Sequence, residues 1–344
     1  MSPRRHAPVV RTVAPVGVLV SVLAGLLLAL APSAWAQPAD DLAAAATCNG
    51  RTPTMDEGSP GETILGTAGD DVIITGGAAR VDTGAGDDSI CITGKGPAIV
   101  NAGPGDDFVG ARAHQGKTFV SLGFGDDRFI GGDGPDRVWS QESSNQTSSD
   151  DSDTILTYGG DDYVISGSST ALNTDIVALG TGDDGLVTYG FSSGAVLSGG
   201  PGSNSYQPLP GPGVSGSWDF DNVEGQATLD EVTRLTWRGF QRFDLAGVQG
   251  DRLRFRGSKA SETVSGGGAC EVVLRGRAGN DRLTVDDEGC NGLPAGDALL
   301  VGGGGDDVLK GAGGDDVLRG GGGADSADGG AGDDRCLAES RVNC

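Results

Sequence analysis

The chain has 344 residues, a formal net charge of −24 and 63 glycines, more than twice the usual share of ~7%. So much glycine and so few aromatics cannot offset the backbone entropy of folding by burial alone, so another source of order is required. The acidic balance excludes nucleic acid as a partner, because binding phosphates needs the opposite charge, and it favours cations.

Residues 1–36 read as a targeting segment. Arg4 and Arg5 precede an apolar run from Val16 to Ala31, and the following APSAWA carries small residues at Ala34 and Ala36. This pattern predicts a signal peptide cleaved before Gln37 and a secreted product. Its removal takes three arginines and no acids, leaving 48 acids against 21 bases, or −27. No later stretch is apolar for long enough to span a bilayer, so no membrane partner is expected after cleavage. Residues 37–65 form an N-terminal cap.

Residues 66–198 repeat one unit. GTAGDDVII, TGAGDDSIC, AGPGDDFVG and LGFGDDRFI place an aspartate sixth, at Asp71, Asp88, Asp107 and Asp127, in steps of 17, 19 and 20. GGDGPDRVW adds Asp136, and TYGGDDYVI and LGTGDDGLV add Asp162 and Asp184. Two nonapeptides make 18 residues, so one half of each coil keeps the acidic turn and the other half has drifted. The polar stretch 141–158 is a degenerate coil or a loop, with a glycosylation sequon at Asn145. Gly190-Phe191-Ser192-Ser193-Gly194 fits GxSxG by chance composition: a nucleophile elbow needs a following helix and a later histidine, and His114 lies upstream. Gly116-Lys117-Thr118 lacks the glycine spacing of a phosphate loop.

Residues 199–275 lose the rhythm. A Pro/Gly-rich stretch precedes short apolar–polar alternation, which predicts an irregular β segment. Trp218, Trp237 and Tyr206 fall here, as core residues or as a sugar platform. Regularity returns in 276–337. GRAGNDRLT carries Asp281, and four contiguous nonapeptides from Gly302 carry Asp307, Asp316, Asp325 and Asp334 sixth and Leu309, Leu318, Ala327 and Cys336 eighth. Residues 338–344 are expected to form a C-terminal disulfide cap. Six cysteines in an exported protein imply three disulfides. Fifteen connectivities are open. The expected one pairs near neighbours, Cys48–Cys91, Cys270–Cys290 and Cys336–Cys344, so that the first and last clamp the two ends.

The nonapeptide GGxGxDxUx, with U a large aliphatic, is a turn followed by a short strand with one inward side chain. Two such units close a coil of ~18 residues, and stacked coils pair their strands in parallel at roughly 4.8 Å. The expected fold is all-β, a parallel β-roll or β-helix solenoid with an irregular β segment in the middle. Stacking sets Asp307 near Asp325 and Asp316 near Asp334. Carboxylates that close repel unless a cation lies between them. Ca²⁺ takes six to eight oxygens from carboxylates and carbonyls, the two donor types this turn offers, whereas Mg²⁺, Zn²⁺ and Cu²⁺ suit it less.

The C-terminal run resembles the haemolysin-type calcium-binding repeats of the repeats-in-toxin (RTX) family, whose signature is this nonapeptide. The resemblance implies a β-roll that binds several Ca²⁺ ions through Asp307, Asp316, Asp325 and Asp334, with Asp136 and Asp281. At Asp71, Asp88, Asp107, Asp127, Asp162 and Asp184 it implies calcium on one edge at most. The N-terminal signal and the cysteines depart from the family's toxins, so the chain more closely resembles secreted bacterial calcium-binding proteins built mostly from such repeats. The expected function is a calcium-hardened structural or adhesive protein, not an enzyme, with cell-surface polysaccharide as a candidate partner. The alternative is a β-helical carbohydrate-active enzyme or polysaccharide-binding protein using 199–275.

Overall fold

The computed structural model describes residues 47–55, 58–141, 151–168, 173–190, 195–211, 213–287, 289 and 296–344. The expected signal peptide, the sequon and most of the GxSxG stretch lie outside the described residues. Among the described residues, twenty-nine strands, β1 (Thr63–Leu65) to β29 (Ser340–Val342), form two sheets of 14 and 15 strands. Outside the middle segment, successive strands alternate between the sheets, so each coil contributes one strand to each. β1 pairs with β3 (Arg80–Asp82), and β2 (Val72–Ile74) with β4 (Ser89–Cys91), both in parallel. The chain is a parallel β-solenoid.

The strands are short because each needs to bury only one or two apolar side chains. In β25 (Val308–Lys310), Leu309 points inward between exposed neighbours, and in β26 (Val317–Gly322) Leu318 does so between half-buried Val317 and exposed Arg319. One column of such residues runs the length of the interior, from Ile64 to Cys336.

The middle segment is more regular than its sequence suggests. β15 (Ser205–Leu209), β19 (Arg242–Leu245) and β21 (Thr263–Gly266) continue the first sheet in parallel. The irregularity is confined to the second sheet, where β16 (Ser217–Asp221), β17 (Gln226–Leu229) and β18 (Val232–Arg238) form an antiparallel meander. Asp230 and Glu231 join β17 to β18 with φ of 48° and 66°, the left-handed pair that a tight two-residue hairpin requires. The meander keeps the stack continuous, since β18 pairs in parallel with β14 (Val196–Ser198) and β16 with β20 (Gly250–Arg256).

Here the interior is aromatic. Tyr206 packs on Trp237 and Phe240, Trp218 stacks on Phe220, and Phe243 meets Phe255. Trp218, Trp237 and Tyr206 are all buried, so they belong to the core and offer no sugar platform. Cys48–Cys91 and Cys336–Cys344 are bonded, one at each end of the solenoid, as expected. Cys270 is also disulfide-bonded, and Cys290 lies outside the described residues.

Candidate metal centres

Each coil makes two turns, one on each edge of the solenoid, and the sixth-position acids stack there. On the first edge, the Asp71 N–H donates to Asp88 Oδ1 of the next coil at 2.7 Å. Asp88 donates to Asp107, Asp107 to Asp127, Asp127 to Asp153 and Asp153 to Asp175, all at 2.7–3.0 Å. On the opposite edge, Asp136 donates to Asp162 and Asp162 to Asp184 at 2.8 and 2.9 Å. That edge continues through Asn204, Gln241 and Glu262 to Asp281, Asp307, Asp325 and Glu339. The first edge resumes near the C-terminus, where Asp316 donates to Asp334 at 2.8 Å. Asp307 thus lies beside Asp325 and Asp316 beside Asp334, as the 18-residue spacing requires.

The half-coils opposite Asp127, Asp162 and Asp184, expected from the sequence to be degenerate, are acidic instead. Asp162 and Asp184 do not extend the line of Asp71, Asp88, Asp107 and Asp127. They stack on Asp136 along the other edge, so the coils carrying Asp127, Asp153 and Asp175 are acidic on both edges. The step from Asp127 to Asp136 is half a coil, and it carries the chain across. Asp153 and Asp175, which fill the first edge, were not singled out in the sequence because their turns lack the glycines. An aliphatic residue two places on (Ile155, Val177) was their only signal.

A second ladder, also not anticipated, uses the exposed fifth-position residue and runs the opposite way. Asp87 donates back to Asp70, Asp106 to Asp87 and Asp126 to Asp106 at 3.0–3.1 Å. The GDD pair therefore ties each coil to both of its neighbours.

The first glycine of the turn makes room for the carboxylate. A Cβ on Gly302 would fall 2.1 Å from Asp307 Oδ2, and one on Gly320 2.2 Å from Asp325 Oδ2. Most ladder aspartates accept the stacking N–H on Oδ1, whereas Oδ1 of Asp71 and of Asp136 accepts from the hydroxyls of Thr54 and Thr118. In Asp88, Asp107, Asp127, Asp136, Asp162, Asp184, Asp281, Asp307, Asp325 and Asp334 the buried Oδ2 has no hydrogen-bond partner. Asp71 and Asp316 differ, because backbone N–H groups of Thr67 and Ala312 take their second oxygen.

Burial pushes these carboxyls up: Asp107 and Asp162 to about 7, Asp127 to about 8, Asp136 and Asp184 to about 6. Burial raises Asp88, Asp281, Asp307 and Asp316 as well. Neighbouring carboxylates in the stack add to the rise at most of these positions.

Among the described residues no three His, Cys, Asp or Glu side chains converge to hold a metal ion. Carboxylates alone do not make a site here, so backbone carbonyls must complete any donor set. Asn204 shows that they are within reach. At this ladder position an amide replaces the carboxylate, and its Nδ2 donates to the Gly200 and Gly239 carbonyls at 3.0 and 2.9 Å. An unpartnered carboxylate oxygen at the other rungs, facing glycine turns of the same form, is a donor set for a hard oxygen-seeking cation. The residues fit Ca²⁺.

The family model for the RTX calcium-binding nonapeptide repeat matches four segments, residues 61–90, 121–145, 147–169 and 299–336. The chain carries RTX calcium-binding repeats. No curated protein matches it significantly. The RTX repeats imply calcium binding, and the four matches cover turns of both ladders.

Proposed function

We propose that this is an exported RTX-repeat protein that stiffens on calcium and serves a structural or adhesive role outside the cell. The observation that carries the reading is the row of buried Oδ2 atoms without partners. A carboxylate buried without compensation is costly, and a stack of them repels itself. Bound Ca²⁺ would supply the missing positive charge, and its binding free energy would add to folding free energy. Asp307, Asp325, Asp334 and their counterparts would hold it by Oδ2, with glycine carbonyls of the same turns.

The repeats and disulfides favour an extracellular setting, and residues 1–36 supply the reading of a cleaved signal. The uniformity of the ladder carboxylates supports a non-enzymatic role: along both edges of the described residues they recur at coil spacing.

The test is a calcium titration of chelated protein followed by far-ultraviolet circular dichroism, with magnesium as control. The expected outcome is a calcium-specific gain of β signal. An unchanged spectrum with full β signal in chelator would show that disulfides and apolar stacking suffice.

A further inference from the structure

The basic residues of this acidic protein are concentrated: ten basic and five acidic side chains lie between Arg234 and Arg282. The second sheet brings several of them to its outer face. On β20, Arg254 and Arg256 alternate with buried Leu253 and Phe255. On the adjacent β22 (Ala269–Ala278), Arg275 and Arg277 are exposed. The register sets Arg256 directly beside Arg275, and like charges so placed repel. Asp219 and Asp221 of β16 lie 3.8 and 2.7 Å from Arg254 and Arg256. Arg275 and Arg277 have no acidic partner among the described residues.

Arg277 carries a second signal. Its φ is +85°, in the left-handed region, and its register partner on β24 (Ala298–Gly304) is Gly303 at +120°. Gly321, the next coil's equivalent, stands at +117°. An arginine is thus kept where neighbouring coils use glycine, and strained non-glycine backbone concentrates at functional sites.

These arginines line a groove of about 740 Å³, with Val273 and Leu299 also in its wall. We infer that the groove binds an acidic oligosaccharide, its carboxylate or sulfate groups held by Arg275 and Arg277. A guanidinium fork matches either anion in a bidentate manner. Asp219, Asp221, Gln226 and Thr228 share the lining. Fixed acids repel a densely charged chain such as a polyacidic peptide, but they accept hydrogen bonds from sugar hydroxyls. A ligand whose anionic groups are separated by hydroxyl-bearing rings satisfies both. The lining contains no ladder aspartate, so the inference gives the adhesive reading a ligand without depending on calcium.

The test is calorimetric titration of the purified full chain with oligogalacturonate and with a heparin-derived oligosaccharide. Neutral dextran oligosaccharide and polyglutamate serve as comparators, each in chelator and again in millimolar calcium. The acidic sugars should bind, less tightly as salt rises, and neutral dextran should not. Arg275→Gln and Arg277→Gly should each weaken binding by about fivefold or more. Arg277→Gly should unfold at or above the parent's temperature, because it relieves backbone strain. Failure of the parent to bind, binding unchanged in both variants, or tighter binding of polyglutamate would overturn the inference. Circular dichroism of the same samples reads the calcium response separately, so either reading can fail without the other.

Discussion

Asp307 and Asn204 occupy equivalent rungs, and they differ in one atom. The Asn204 amide pairs with two glycine carbonyls, whereas the Asp307 Oδ2 has nothing to pair with. Asp307→Asn should therefore stabilise the chelated protein by about 1–3 kcal/mol and blunt its calcium response. Asp307→Ala should instead destabilise it by a similar amount, because the Asp281 N–H loses its acceptor. Urea midpoints in chelator separate the two, and an asparagine variant as weak as the alanine one would refute the mimicry. The same carboxyls set a pH dependence. Burial raises Asp107, Asp127 and Asp162 to about 7–8 from an ordinary 3.8. Between these limits the folded chain holds more protons than the unfolded one, so chelated stability should fall as pH rises from about 4 to 8. Saturating calcium, which needs the ionised form, should reverse the trend. Thermal midpoints at pH 5 and 8, with and without chelator, check both signs.

At the scale of the turn, neighbouring glycines are not equivalent. Gly321 has a φ of +117°, and a Cβ there would meet the Gly303 carbonyl oxygen of the preceding coil at 2.1 Å. Gly322 faces open space. Gly321→Ala should cost about 2–4 kcal/mol, from the left-handed backbone and the overpacking together. Gly322→Ala should change stability by about 0.5 kcal/mol or less. Equal effects in denaturant titrations would mean that the turn relaxes and close stacking does not depend on glycine. The aspartate depends on the same backbone: only a turn this tight puts Asp307 Oδ2 against Gly302, under cover from water.

Across the whole molecule, the source of order changes along the axis. The central coils bury Tyr206, Trp218, Phe220, Trp237, Phe243 and Phe255, and their ladder positions include the amides Asn204 and Gln241. The C-terminal coils bury Leu309, Leu318, Ala327 and Cys336, much smaller side chains, beside unpartnered carboxylates on both edges. In a solenoid each coil contacts only its neighbours, so local stability follows local composition. Amides of β25, β26 and β27 (Ser326–Asp328) should exchange with deuterium faster in chelator than in calcium. Those of β19 and β21 should change little. Uniform protection in both conditions would contradict this division.

Much of this was legible in the chain itself. Glycine, aspartate and aliphatic residues at nine-residue spacing specify turn, ligand and strand together, because a coil of two such units leaves one place for each. The Asp307–Asp325 and Asp316–Asp334 pairs and the parallel solenoid follow from that local rule, and the end disulfides join the near-neighbour cysteines. What the rule does not contain is which edge a turn occupies once spacing varies. The half-coil step from Asp127 to Asp136 moved Asp162 and Asp184 to the opposite edge. Asp153 and Asp175 joined the first edge without the glycine signature, held in line by the Asp127–Asp153 and Asp153–Asp175 hydrogen bonds. The tertiary structure alone decided the roles of the middle segment: its aromatics turned inward, its meander preserved the stack, and Arg256, Arg275 and Arg277 gathered on one outer face. Those relations join residues on different strands, and strand register, not sequence spacing, sets them.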